Sequence, residues 1–167
     1  MKCFIISLFS FFTCYVCLSQ QTVTVAKDGT GNYKTVQAAL DAVPSGNDKP
    51  FTIHIKNGIY KEVLVVDARK NFVHLIGEDK EKTILTFDNH AGTTLPNGDT
   101  LNTWTCASTF IYGNDFRAEN LTFENTAGFT AGQAVGLRIE GNRASFFNCR
   151  IVGNQDILFL SGSGVKH

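Results

Sequence analysis

The sequence predicts an all-β chain wound into a parallel β-helix and closed at its N-terminal end by one helix. Three observations lead there. Short β-branched or aromatic runs, broken by Gly, Asn and Asp, recur along most of the chain. Two pairs of segments align with one another at offsets of 22 and 28 residues, and a repeat in the low twenties with Asn at its turns suits a solenoid, where each coil buries its inward side chains against the next. A single stretch, VQAALDAV at 36–43, places apolar residues at helical spacing. A β-sandwich is the structural alternative, because hairpin-type turns such as Asn57-Gly58 also occur.

In chain order, residues 1–19 carry Lys2 at the start, no charge from Phe4 to Leu18, and the small residues Cys17 and Ser19 at the end. They predict a secretory signal peptide and a secreted or otherwise exported chain of residues 20–167. The apolar run is shorter than the ~20 residues of a spanning helix, so no stable membrane insertion is expected. The whole chain has 15 basic and 15 acidic residues; without Lys2 the balance is 14 to 15, or about −1, which argues against a nucleic-acid partner. Three of the five cysteines fall in the leader. Cys106 and Cys149 could form one disulfide only if the fold brought them together.

The stretch VTVAKDGTGNY at 23–33 joins a strand to a glycine turn before the helix. It lacks the third glycine of a dinucleotide fingerprint, and no βαβ alternation follows. Thr35 is placed to cap the helix and Pro44 to stop it. Strands are predicted at 51–55, 63–66, 72–77, 83–87, 109–112, 121–123, 134–139 and 144–149, with EDKEK at 78–82 as a solvated, charge-rich turn.

The repeats give a candidate site. Setting GQAVGLRI (132–139) over NQDILFL (154–160) matches Gln133 with Gln155, Val135 with Ile157 and Leu137 with Phe159. Setting GNDFRAENLTF (113–123) over GNRASFFNCRI (141–151) matches Asn120 with Asn148 and Phe123 with Ile151, the longer step fitting an insertion around 125–132. At one-coil spacing of roughly 4.8 Å the two glutamines would lie side by side. Val135, Leu137, Ile157 and Phe159 are then expected inward and Asp156 outward over Ala134, in a shallow recess of two amides and one carboxylate. Strict alternation would turn the glutamines inward, so a bend is expected at each strand start. The alternative role for Asp156 is to cap the Gly-Asn turn before it.

The segments GIYKE (58–62), ENTAG (124–128), GQAVGLR (132–138) and GNQDILF (153–159), after the opening VAKDGTGNYKTVQAALDAV (25–43), resemble the pectin methylesterases, or pectinesterases. The resemblance covers the mature chain and about half of the family's catalytic domain. It implies a right-handed, pectin-lyase-like parallel β-helix that removes methyl groups from the galacturonate esters of pectin, with no metal and no organic cofactor. It implies the acid/base aspartate at Asp156 and the oxyanion-stabilising pair at Gln133 and Gln155. Amide donors of that kind are worth roughly 3–4 kcal/mol each, and a nearby second carboxylate could raise the pKa of Asp156 for acid duty. Gly136 and Ile157 stand where the family usually has alanine and threonine; Gly136 is expected to open the recess and Ile157 to fill the core.

The family's nucleophile motif, DFIFG-like, and its guiding-arginine motif, LGRPW-like, do not occur in these 167 residues. One more coil of about 22 residues from Gln155 runs past His167. The chain is therefore expected to be the N-terminal part of the domain, a monomer with half an active site, inactive alone and prone to aggregate through unpaired strand edges. Other residues point elsewhere. Glu62 is expected to be structural, Cys149 a small core residue, and His54 with His74 too few ligands for a metal. His90 and His167 carry no specific signal. Two further classes remain open: a non-catalytic pectin-binding β-helix and an enzyme that cleaves glycosidic bonds. The second would need a carboxylate partner within roughly 5–10 Å of Asp156.

Overall fold

A computed structural model describes residues 21–161, so the predicted leader at 1–19 and His167 lie outside the described residues. The strands fall into three sheets. The first holds β1 (Gln21–Val25), β2 (Phe51–Ile55), β5 (Val73–Gly77), β8 (Arg117–Glu119) and β11 (Ser145–Phe147). The second holds β3 (Gly58–Lys61), β6 (Thr83–Phe87), β9 (Thr122–Asn125) and β12 (Arg150–Val152). The third holds β4 (Leu64–Val66), β7 (Thr109–Ile111), β10 (Leu137–Ile139) and β13 (Leu158–Leu160). Every one of these strand pairings is parallel. That is the right-handed parallel β-helix, not the sandwich.

Inward side chains stack in columns through the coils. Ile53, Leu75, Ala118 and Phe146 form one; Tyr60, Leu85, Phe123 and Ile151 form another. Each fully buried aliphatic or aromatic side chain is worth roughly 1.5–3 kcal/mol, so the columns outweigh the weak local propensity of three-residue strands such as β8, which lies outside the predicted strands. In the third sheet Leu64, Thr109, Leu137 and Leu158 share a column. Leu137 is fully buried, whereas Leu158 and Leu160 on the last described strand are 43% and 56% exposed.

The helix α1 (Val36–Asp41) buries Val36, Ala39 and Leu40 and packs on β1 and β4. Thr35 caps it as predicted, its Oγ1 accepting from Ala38 N at 3.3 Å. A second cap comes from Glu62, whose Oε1 and Oε2 accept from Val36 N at 2.9 Å and Gln37 N at 3.0 Å, which makes Glu62 structural. The helix stops two residues short of the predicted end. Pro44 disfavours helical geometry at Val43, whose N–H bonds instead to Leu40 O at 3.2 Å.

One corner of the solenoid is held by asparagines. Asn71 N donates to Asn47 Oδ1 (2.9 Å), Asn114 N to Asn71 Oδ1 (3.0 Å) and Asn142 N to Asn114 Oδ1 (2.9 Å). Residues following three of them, Phe72, Asp115 and Arg143, turn the chain at φ of 52°, 56° and 59°. A second corner stacks Asn148 Nδ2 on Asn120 Oδ1 at 2.7 Å, the pairing expected from the 28-residue offset. The EDKEK turn is solvated as predicted, with Glu78 on Lys56 at 3.1 Å. Cys106 and Cys149 are both free thiols; Cys149 packs against the main core.

Candidate functional site

Construction of the site begins at Asn125, the buried last residue of β9. Its Nδ2 donates to Asn89 O at 2.8 Å and Val135 O at 3.0 Å, and its Oδ1 accepts from Ala127 N at 2.9 Å. One amide thus ties together the excursion at 88–108, the turn after β9 and the approach to β10. A buried amide left unpaired would cost about 1–3 kcal/mol, so the ENTAG segment needs its asparagine for position. The sequence reading passed over it, although the motif was on view.

Gln133 follows on the surface. Its backbone O accepts from Ala91 N at 2.8 Å, and its side-chain Oε1 accepts the hydroxyl of Thr103. With Oε1 occupied, Nε2 is the end left to donate. Thr103 belongs to the 88–108 excursion, 30 residues from its partner, and no spacing rule would have found it.

Gln155 and Asp156 lie one winding on, both exposed. Ala134 N donates to Gln155 O at 3.1 Å and Gly136 N to Ile157 O at 3.0 Å. Leu137 therefore stands beside Leu158 and Arg138 beside Phe159, a step of 21 residues, where the sequence alignment used 22. Within the strands the correction changes which side chains face in; ahead of them the bond from Ala134 N to Gln155 O keeps Asp156 opposite Ala134, and Gly136 N and Leu137 N share Ile157 O where the step shortens. Leu158 and Leu160 continue the inward columns, whereas Phe159 faces outward with Arg138. Val135 is buried, but in a second apolar cluster with Cys106, Ala107 and Phe110 outside the main core.

The cause of the slip is local. Asp156 has φ of 56° and Gly132 φ of 84°, so the alternation of side chains does not carry through the strand starts, and the predicted bends are there. Gly136 does not open a recess: it is buried, and a Cβ there would sit 3.2 Å from Ile157 O. Ile157 is half-buried and is absent from the main core cluster.

Gln133 and the Gln155-Asp156 pair therefore lie on adjoining windings, joined by the backbone bond from Ala134 N to Gln155 O. Gln133 is fixed by Thr103, and Gln155 by its backbone bond to Ala134. Asn154, just before them, donates from Nδ2 to Ala127 O at 2.7 Å. Among the described residues none donates a hydrogen bond to the Asp156 carboxylate, which leaves the capping role without a recipient. Phe159 meets Trp104 edge-on with ring centroids 4.8 Å apart, and the Arg138 guanidinium lies 5.5 Å from the Phe159 centroid. A cavity of about 390 Å³ lies elsewhere, at the solenoid's last described winding among Ile139, Phe146, Ile151, Leu158 and Leu160. It is the interior column seen end-on.

His54 and His74 share the outward face of the first sheet but not a register position, for His74 pairs with Thr52 and His54 with Ile76. Among the described residues no group of three or more His, Cys, Asp or Glu side chains is arranged to hold a metal ion.

A family model described as pectinesterase matches residues 22–163. The chain belongs to the pectinesterase family. Pectinesterase 31 of Arabidopsis thaliana is 42% identical over 146 residues, which cover 83% of this chain and 45% of that protein. The carrot pectin methylesterase structure superposes with a TM-score of 0.75 at 36% identity, covering 82% of this chain and 41% of that one. A pectin methylesterase solved in complex with a hexasaccharide superposes with a TM-score of 0.77 at 30% identity, covering 85% and 46%. This pectinesterase-family chain thus spans less than half the length of each of these relatives. Pectinesterases are carboxylic ester hydrolases.

Proposed function

We propose that the chain supplies the acid/base and oxyanion-stabilising half of a pectin methylesterase site. The observation that supports this is the placing of Gln133, whose Oε1 is engaged by Thr103, and of the Gln155-Asp156 pair on adjoining windings bonded through Ala134 N and Gln155 O. On this reading, a partner carboxylate attacks the carbonyl carbon of a methyl-esterified galacturonate. The two amides donate to the oxygen that becomes negative. Asp156 gives its proton to the departing methoxide, releasing methanol, and then takes a proton from the water that hydrolyses the acyl intermediate. The steps balance with side chains and water.

The attacking carboxylate is assigned to a further winding, in keeping with relatives more than twice as long as the matched part of this chain. The leader at 1–19 and residues 20–167 are the proposed division of the chain, exported to meet pectin outside the cell as a monomer. Titration of proton release on methylated pectin tests the reading. The 167-residue chain should release no methanol, and the same chain continued by a further winding bearing the carboxylate should release it without cutting the polymer. In the continued chain Gln133→Ala should lower turnover by roughly 10²–10³-fold. Cleavage of the polymer would assign the site to glycosidic chemistry. Binding without any methanol from the continued chain would make it a pectin-binding module.

A further inference from the structure

The loop between β9 and β10 ends on Gln133 at one side and is tied to Asn154 at the other. At its tip, in the 3₁₀ turn Phe129–Ala131, Phe129 is 83% exposed. Apart from Ile59 on β3 and Val65 on β4, which are less exposed than Phe129, the other exposed large apolar side chains have accounts within the fold. Phe147 lies under the Arg117 guanidinium at 4.5 Å, Trp104 packs on Phe159, and Leu158 and Leu160 belong to the inward columns. Phe129 is engaged in no ring or cation contact among the described residues.

Its loop is nonetheless fixed. Thr126 N donates to Phe87 O at 2.8 Å, Ala127 is held at N by Asn125 and at O by Asn154, and Ala131 N closes on Gly128 O at 2.9 Å. Gly128 and Gly132 bracket the turn, and a Cβ at either would meet nothing within 4 Å. An aromatic ring is therefore held out from the body of the solenoid four residues before Gln133, at little further ordering cost on binding. Residues 126–136 carry no charged side chain.

We infer that Phe129 is a specificity-determining residue, stacking on a methyl-esterified galacturonate unit of the polymer in preference to a de-esterified one. This deepens the pectinesterase reading above and rests on it. The partially positive C–H face of a sugar ring and its ester methyl suit the negative face of an aromatic ring. A free uronate would meet an uncharged wall there, losing water without gaining a cation. Aromatic stacking of this kind is worth about tenfold in affinity.

The test uses the 167-residue chain, with methyl-esterified and de-esterified oligogalacturonides titrated calorimetrically. The wild type should bind the esterified oligomer more tightly. Phe129→Ala should bind it about tenfold more weakly while leaving the de-esterified affinity unchanged, and Phe129→Tyr should restore the preference where Phe129→Leu does not. Thermal unfolding of each variant confirms an intact fold, which an exposed position permits. Equal affinities for Phe129→Ala and wild type, or a leucine variant equal to wild type, would overturn this inference alone. Failure of the wild type to bind either oligomer would overturn the pectinesterase reading itself.

Discussion

The hydroxyl of Thr103 donates to the side-chain Oε1 of Gln133. With Oε1 engaged in that bond, Nε2 is the end of the Gln133 amide left to donate. Thr103→Val removes the donor and keeps the shape. Side-chain ¹⁵N relaxation should then show the Gln133 amide loosening to an order parameter below about 0.6, with Thr103→Ser near wild type. An unchanged amide in the valine variant would sink the positioning role. Global stability should move by less than about 1.5 kcal/mol, the net value of one hydrogen bond.

Glu62 holds the first turn of α1 through Val36 N and Gln37 N. Glu62→Ala orphans two backbone donors and should cost about 2 kcal/mol in urea unfolding. Glu62→Gln keeps one acceptor oxygen and should fall between. A glutamine variant as damaging as alanine would mean that the lost charge, not the lost acceptors, dominates.

Close approach of backbones between coils sets a sharp contrast among glycines. A Cβ on Gly141 would lie 2.0 Å from Gly113 O, while one on Gly128, at φ of −62°, would meet nothing. Gly141→Ala should cost about 3 kcal/mol, and Gly128→Ala should stay within about 0.5 kcal/mol of wild type. Similar melting temperatures for the two variants would contradict the stacked corner.

His74 Nε2 lies 3.1 Å from Glu119 Oε1 on the outward face of the first sheet. Burial pushes its pKa below the usual histidine value. Glu119 pulls it back up, while Arg117 and the neighbouring His54 push it down with the burial. The unfolded chain, with histidine near about 6.5, therefore binds the proton more readily than the folded one. Stability is retained above that value and lost as pH falls through it. Between about pH 7.5 and 5.5 the melting temperature of the wild type should fall more than that of His74→Gln. Parallel curves would remove His74 as the source.

The unbroken 28-residue offset was legible because its corner residues, Asn114 with Asn142 and Asn120 with Asn148, recur at turns whose geometry repeats. The 22-residue offset holds where Ala134 N bonds to Gln155 O and shortens to 21 within the paired strands, after Gly136 N and Leu137 N share Ile157 O. Asp156 adopts a positive φ, and a side-chain alternation counted along the letters does not register such a reversal. Phe159 was consequently placed inside when it faces Trp104 outside.

By itself the sequence determined the family, the coil architecture, the helix with its Thr35 cap, and the adjoining windings that carry Gln133 and Gln155. These rest on local patterns and on the similar steps of the last windings, both written in linear order. Tertiary structure alone decided the 21-residue register of the last winding, the second cap from Glu62, and the grip of Thr103 on Gln133. Those contacts join segments 21 to 30 residues apart through irregular turns and loops, where only the folded path of the chain brings donor to acceptor.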